Sequence, residues 1–462
     1  MPAGPKACPP AVVAAAAALS CAACVRSSAP PIAFVHAQIA DARGLQRDRT
    51  VVVSGNRIAS VGDGAPPAGA RVIDATGLTL APGLWDMHTH VLNEGRIDRG
   101  FSLLLGYGVT GIRDVGGASP AALAQARELL GTRAFPGPRF NSTARFIDGA
   151  GSNIGAPRLL RADTDEQARA SVATVQRDGG EFVKLYLKVR RAQVIAAVDE
   201  AHKRGLRVIG HAPLDLPAME ASDLGYKSFE HLWGLLLGCS SREASLQPLV
   251  AVEGLRTSQF PATLKYARDI LSSQDDARCD ALLQRLAKNG TAQCATLVSN
   301  QFLMLGPTAF PPDVVPAWVG DTVKAGVKRR KLDAVDPELW AATKALLPRL
   351  QRQGVMILAG TDAPIIAIPG WSLHEELALM VEAGLTPQQA LATATIEPAR
   401  WLGREHELGT IEAGKLADLI VLEGNPLERI GATRDLRAVI ADGVYLERSR
   451  LDQLRRDGSR PL

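Results

Sequence analysis

From about residue 84 to about residue 360, short apolar runs alternate with amphipathic helical stretches, and this alternation constrains the fold more than any other feature. Strands separated by helices build βα units and pair in parallel. Eight runs fit: 84–91, 109–115, 139–146, 182–187, 207–212, 228–232, 292–299 and 355–359. Between them, the helical stretch 163–178 stops at Gly179-Gly180 and the stretch 192–204 stops at Gly205, where glycine supplies the usual C-terminal signal. Eight units of this kind predict an α/β protein whose centre is a (β/α)8, or TIM, barrel.

The two ends differ from that middle. Val51-Val52-Val53, a turn through Gly55-Asn56 and Ile58–Val61 read as a hairpin, followed by a strand at Arg71–Asp74. Residues 417–422 and 436–443 repeat that composition near the C-terminus. A small β domain assembled from both ends, 30–80 with 405–462, accounts for this, leaving 81–404 for the barrel. A chain of 462 residues is long enough for both.

Composition narrows the function. Apolar residues make up 46% and charged residues 22%, with a net charge of +4 and no basic block, so nothing points to nucleic acid. Residues 1–29 carry Lys6, an Ala-rich apolar stretch and small residues near Ala23 and Ala29, the pattern of a secretory signal. The apolar part is too short for a stable membrane span. Ser20-Cys21 and Ala23-Cys24 offer sites for a lipid anchor. The expectation is an exported protein, periplasmic or held to a membrane by lipid, with room for a homo-oligomer. Beyond the leader remain Cys239, Cys279 and Cys294, an odd number that permits at most one internal disulfide. Cys279 and Cys294 are near enough in sequence to pair, and buried free thiols are the default.

Barrel enzymes place their chemistry at the C-terminal strand ends. Strand one closes on His88-Thr89-His90, where period-2 spacing puts both imidazoles on one face. Strand four carries Lys184, strand five His211, strand six Glu230-His231 and strand eight Asp362. Four of the eight histidines thus gather at strand ends. Imidazoles and a carboxylate suit Zn²⁺, which lowers the pKa of a bound water to about 7. An ammonium is out of place beside a cation. A desolvated lysine deprotonates readily and could add CO2, giving a carbamate able to bridge two metals.

These residues carry a resemblance. The segments 81–90, 108–114, Val183-Lys184, 210–212, Glu230-His231 and 360–363, with the tail 409–421, resemble the metal-dependent amidohydrolase superfamily in its imidazolonepropionase-like and prolidase-like branch. The resemblance runs from about residue 32 to about 445 and implies a distorted (β/α)8 barrel with a composite β-sandwich. It implies two zinc ions: His88, His90 and Asp362 on the first, His211 and His231 on the second, and N6-carboxylated Lys184 between them. Asp362 would be the general base, with His231 and Lys184 also at the reaction centre. Two departures stand out. Prolidase-like members carry a histidine after strand three, whereas residues 146–153 contain none. Imidazolonepropionases use one metal and lack the bridging lysine. The implied activity is hydrolysis of a C–N bond in an amide, cyclic amide or peptide-like small molecule. Hydrolysis of an ester or lactone, or non-catalytic metal binding, are the alternatives.

Further candidates for substrate contact are Tyr186, two residues beyond Lys184; Arg113, which an internal ion pair would claim instead; and His374, at the start of a helix over 373–383. His36, His202 and His406 read as lying outside the site. The pocket loops, 146–160 and 238–348, would select the substrate.

Overall fold

The computed structural model describes residues 30–93, 96–131, 137–257, 259–306 and 336–460, so the expected leader, 1–29, lies outside the described residues. Three sheets organise the described residues. One joins the two ends: five strands between Ile32 and Pro82 combine with Leu419–Leu422, Leu436–Ala441 and Val444–Glu447. The seam is antiparallel, with Ala81 opposite Ile420. The expected hairpin is present, Gly44–Ser54 against Arg57–Gly62. Alternate residues of these strands, among them Phe34, Ile39, Leu80, Leu419 and Ile440, form the core of this unit.

The other two sheets are wholly parallel. Three strands, Leu84–Thr89, Val109–Asp114 and Arg139–Ser142, make one. The second runs through Leu159–Arg161, Phe146–Asp148, Phe182–Leu185, Arg207–Gly210, Tyr226–Glu230, Ala292–Cys294 and Ile357–Leu358. Backbone hydrogen bonds connect their edges. At one junction the Met87 amide donates to Ala359 O (2.8 Å) and the Asp362 amide to His88 O (2.8 Å). At the other the Glu181 amide donates to Ser142 O (2.8 Å). Leu84–Thr89, Val109–Asp114 and Phe182–Leu185 are buried along their whole length, as parallel strands flanked by helices should be.

Several expectations need correction. The predicted third strand is split at Ala144, whose φ is +55°, and resumes as Phe146–Asp148. The predicted seventh strand stops at Cys294, because Leu297–Leu305 is a helix. Its start is fixed by Thr296 in a left-handed conformation and by Glu376, whose carboxylate accepts the Val298 amide. The cysteines also depart from the default. Cys239 and Cys279 form a disulfide, tying the short helix Leu235–Gly238 to the helix Asp276–Asn289. Cys294 is the buried free thiol, since its strand places it inside the sheets against His88 and Gly360 rather than beside Cys279.

Candidate metal centre

His88 and His90 leave the first parallel strand on one face, 1% and 4% exposed. Each has its Nδ1 engaged from behind: His88 by Glu230 Oε2 at 2.6 Å, His90 by the Gly116 carbonyl at 3.0 Å. Their Nε2 atoms therefore face the same side, 3.5 and 3.1 Å from Asp362 Oδ1. Asp362 reaches this position through a left-handed backbone, φ +63°, in a turn whose amide donates to His88 O. Gly360 permits the approach, because a Cβ there would lie 2.6 Å from both His88 Cβ and Cys294 Sγ.

Strands five and six supply the opposite wall. The His211 and His231 rings stack with centroids 5.0 Å apart, and His231 lies 4.6 Å from His88. His231 is likewise left-handed, φ +66°, and its Nδ1 meets Thr296 Oγ1 at 2.7 Å. Non-glycine residues in this region cost of order 1–3 kcal/mol and gather where surrounding structure imposes them. Trp233 packs against both imidazoles, and Tyr186 packs against His211 at 5.0 Å. Lys184 is 1% exposed.

The donor set suits a divalent ion. His88, His231 and Asp362 each offer a ligand atom, all within 4.8 Å of one another. His88 Nε2 and His211 Nδ1 are buried without a hydrogen-bond partner. An unmet buried polar atom costs about 1–3 kcal/mol, and a cation accepting those lone pairs removes that cost. Protonation states agree. Burial, reinforced by Lys184 and neighbouring imidazoles, holds His211 well below the usual histidine range; burial and His88 do the same for His231. Burial pushes the Asp362 carboxyl up, but its close approach to the His88 and His90 rings outweighs it and leaves it well below the carboxylate range. Burial also lowers Lys184 to about 8, with Glu230 opposing and Arg113 assisting. Neutral imidazoles at His211 and His231, an ionised carboxylate and an easily deprotonated amine are states that metal binding requires.

The three further candidates fall in different places. Tyr186 joins the ring cluster. Arg113 is fully buried behind the histidines: Nε donates to Met87 O at 2.6 Å, and the Nη atoms donate to Ser228 and to both Glu230 oxygens. Its neighbours leave no open face for substrate, so the ion-pair alternative describes it. His374 is buried, not at a solvated helix start. Nδ1 pairs with Thr433 Oγ1 and Nε2 with Tyr107 O, both at 2.9 Å, where Trp371–Glu382 packs on the C-terminal segment.

Sequence reasoning passed over several supports. Asp86 continues the period-2 series to His88 and His90, a signal that was available. Its carboxylate accepts the His88 amide, the Thr361 amide and the Thr361 hydroxyl, fastening strand one to the Asp362 turn. Thr296, Trp233 and Asn300 carried no such signal. Asn300 takes Trp233 Nε1 and donates to His231 O, so the helix after strand seven braces the imidazole wall.

The sequence profile of the Amidohydrolase family matches residues 79–443. The chain is 26% identical to an imidazolonepropionase of Symbiobacterium thermophilum over 364 residues, 76% of each protein. It is also 26% identical to that of Pseudomonas paraeruginosa over 402 residues, 81% of this chain and 87% of the other. Among solved structures, a Xaa-Pro dipeptidase with bound methionine superposes with a TM-score of 0.66 at 21% identity, over 90% of this chain and all of that one. Bottromycin amidohydrolase superposes at 0.69 and 24% identity, over 91% of this chain and 88% of that one. At such identities the structural likeness speaks to the fold.

Proposed function

This chain belongs to the amidohydrolase family, and from that premise we propose that its substrate is a small amide, cyclic amide or peptide-like carboxamide cleaved at the centre built on His88, His90, His211, His231 and Asp362. The protein is a metal-dependent hydrolase of C–N bonds. The observation that carries the site is convergence: ligand atoms of His88, His231 and Asp362 lie within 4.8 Å of one another, and His88 Nε2 and His211 Nδ1 are buried without a hydrogen-bond partner.

We read the two parallel sheets as one distorted (β/α)8 barrel over 81–404, with the shared sheet of 30–80 and 405–462 as a composite β-sandwich. His88, His90 and Asp362 would hold one zinc ion, and His211 and His231 a second, with N6-carboxylated Lys184 between them. Its depressed pKa supports the reaction with CO2. When bound, the metal acidifies a water and polarises the scissile carbonyl. Asp362 Oδ, kept ionised by His88 and His90, takes the proton of the attacking water and passes it to the leaving nitrogen. Tyr186 and Trp233 keep bulk water from the imidazole wall. Beside His231, a cavity lined by Leu214, Leu232, Leu236, Val250 and Met304 supports an apolar group next to the scissile bond. The Cys239–Cys279 disulfide supports export to an oxidising compartment, as expected of a chain with a secretory or lipoprotein-type leader.

A panel of N-acyl amino acids, dipeptides and cyclic amides incubated with zinc-loaded protein tests the reading, with Asp362→Asn alongside. Amide turnover is expected, lowered about 10²–10⁴-fold by the substitution, the usual worth of a general base. Turnover confined to esters or lactones, or an Asp362→Asn rate within tenfold of the parent, would contradict it.

A further inference from the structure

Burying a guanidinium and a carboxylate together contributes little net stability, because desolvation of each ion costs several kcal/mol. Arg113 and Glu230 are nevertheless both fully buried between the parallel strands, 2.9 Å apart. What distinguishes the pair is where it ends. Glu230 Oε1 accepts from Ser228 Oγ (2.6 Å) and Arg113 (3.0 Å). Oε2 accepts from Arg113 (2.9 Å) and faces His88 Nδ1 at 2.6 Å. Arg113 is itself fixed by Met87 O, by Ser228 and by the Trp401 ring, 4.6 Å from its guanidinium carbon.

A carboxylate can only accept, so the ring nitrogen held 2.6 Å from Glu230 must carry the hydrogen, while Asp362 Oδ1, 3.5 Å from the other nitrogen, is too far to claim it. A neutral imidazole has one hydrogen to give. His88 therefore presents a bare Nε2, the atom that is buried without a partner on the Asp362 side. Two other histidines of the site meet uncharged groups instead, the Gly116 carbonyl for His90 and the Thr296 hydroxyl for His231. Because both Glu230 oxygens are filled, its proximity to His88 and Cys294 does not make it a ligand.

We propose that Glu230, clamped by Arg113, is a positioning residue that locks His88 in the Nδ1–H tautomer and aims its Nε2 lone pair at the metal position. The proposal rests on the metal-hydrolase reading for its purpose, but its test does not depend on turnover. Long-range ¹H–¹⁵N correlation spectra of metal-stripped protein read the tautomer, with the His88 signals identified by their loss in His88→Asn. Nδ1–H is expected; an Nε2–H tautomer overturns the proposal and leaves the hydrolase reading intact. A second measurement uses R113M/E230L, which removes both charges together and so leaves no lone buried ion. Chelator competition should show zinc held 10–100-fold more weakly at one site, the usual loss when a ligand's supporting partner is removed. Unchanged affinity in a variant that keeps its melting temperature would overturn the proposal. If the paired variant does not fold, the tautomer of the parent protein decides alone.

Discussion

Burial decides which protonation state a histidine keeps, and His374 shows this at the scale of one residue, away from the candidate metal centre. Desolvation lowers its pKa to about 3, against a favourable bond to the Tyr107 carbonyl. The unfolded chain binds a proton at about 6.5, so below that pH it gains a proton that the folded state refuses. The stability that neutral His374 contributes is therefore complete above about 6.5 and is lost as pH falls towards 3. Urea unfolding at pH 7.5 and pH 5 should show the parent losing about 2 kcal/mol more than His374→Gln. Equal losses would show that the residue titrates freely. Among the site residues, the ligand types were legible because period-2 spacing and strand ends are properties of the sequence. The partners that orient them were not. Glu230 and Arg113 are 117 positions apart, and the His231–Thr296 contact spans 65, so only the fold brings them together.

Secondary-structure elements were legible at their starts more than at their ends. The eight apolar runs mark nine of the ten parallel strands, the third run reaching two of them, while Leu159–Arg161 falls in a stretch read as a pocket loop. The helices Asp165–Arg177 and Arg191–Lys203 agree with the glycine stop signals. Strand seven was overextended because Leu297–Leu305 is as apolar as a strand, and the Glu376 carboxylate that helps start this helix lies 78 residues away from Val298. Between strands six and seven, the helices Glu243–Arg256 and Asp276–Asn289 occupy part of the stretch 238–348 that was read as a pocket loop. The disulfide there closes a loop across a separation of 40 residues. Loop-closure entropy gives such a crosslink about 4 kcal/mol. Replacing both Cys239 and Cys279 with serine should therefore lower the melting temperature by a few degrees. An unchanged transition would mean the two helices are held by packing alone.

At the scale of the whole molecule, one sheet draws on residues 32–82 and 419–447, so the two chain ends meet beside the parallel sheets that carry the ligands. Matching composition at the two ends made that union legible, while the strand order, with Thr79–Pro82 joining the halves, required the structure. The five parallel strands that deliver Lys184 and the metal-ligand candidates must close on one another for the site to exist, so metal loading reads the fold and the function together. The most direct test is to strip the protein with a chelator, restore zinc stepwise and follow amide hydrolysis against bound metal. The account predicts that activity disappears with the metal and returns in proportion to it, saturating near two ions per chain. Full activity in protein holding less than about a tenth of an ion per chain would contradict it.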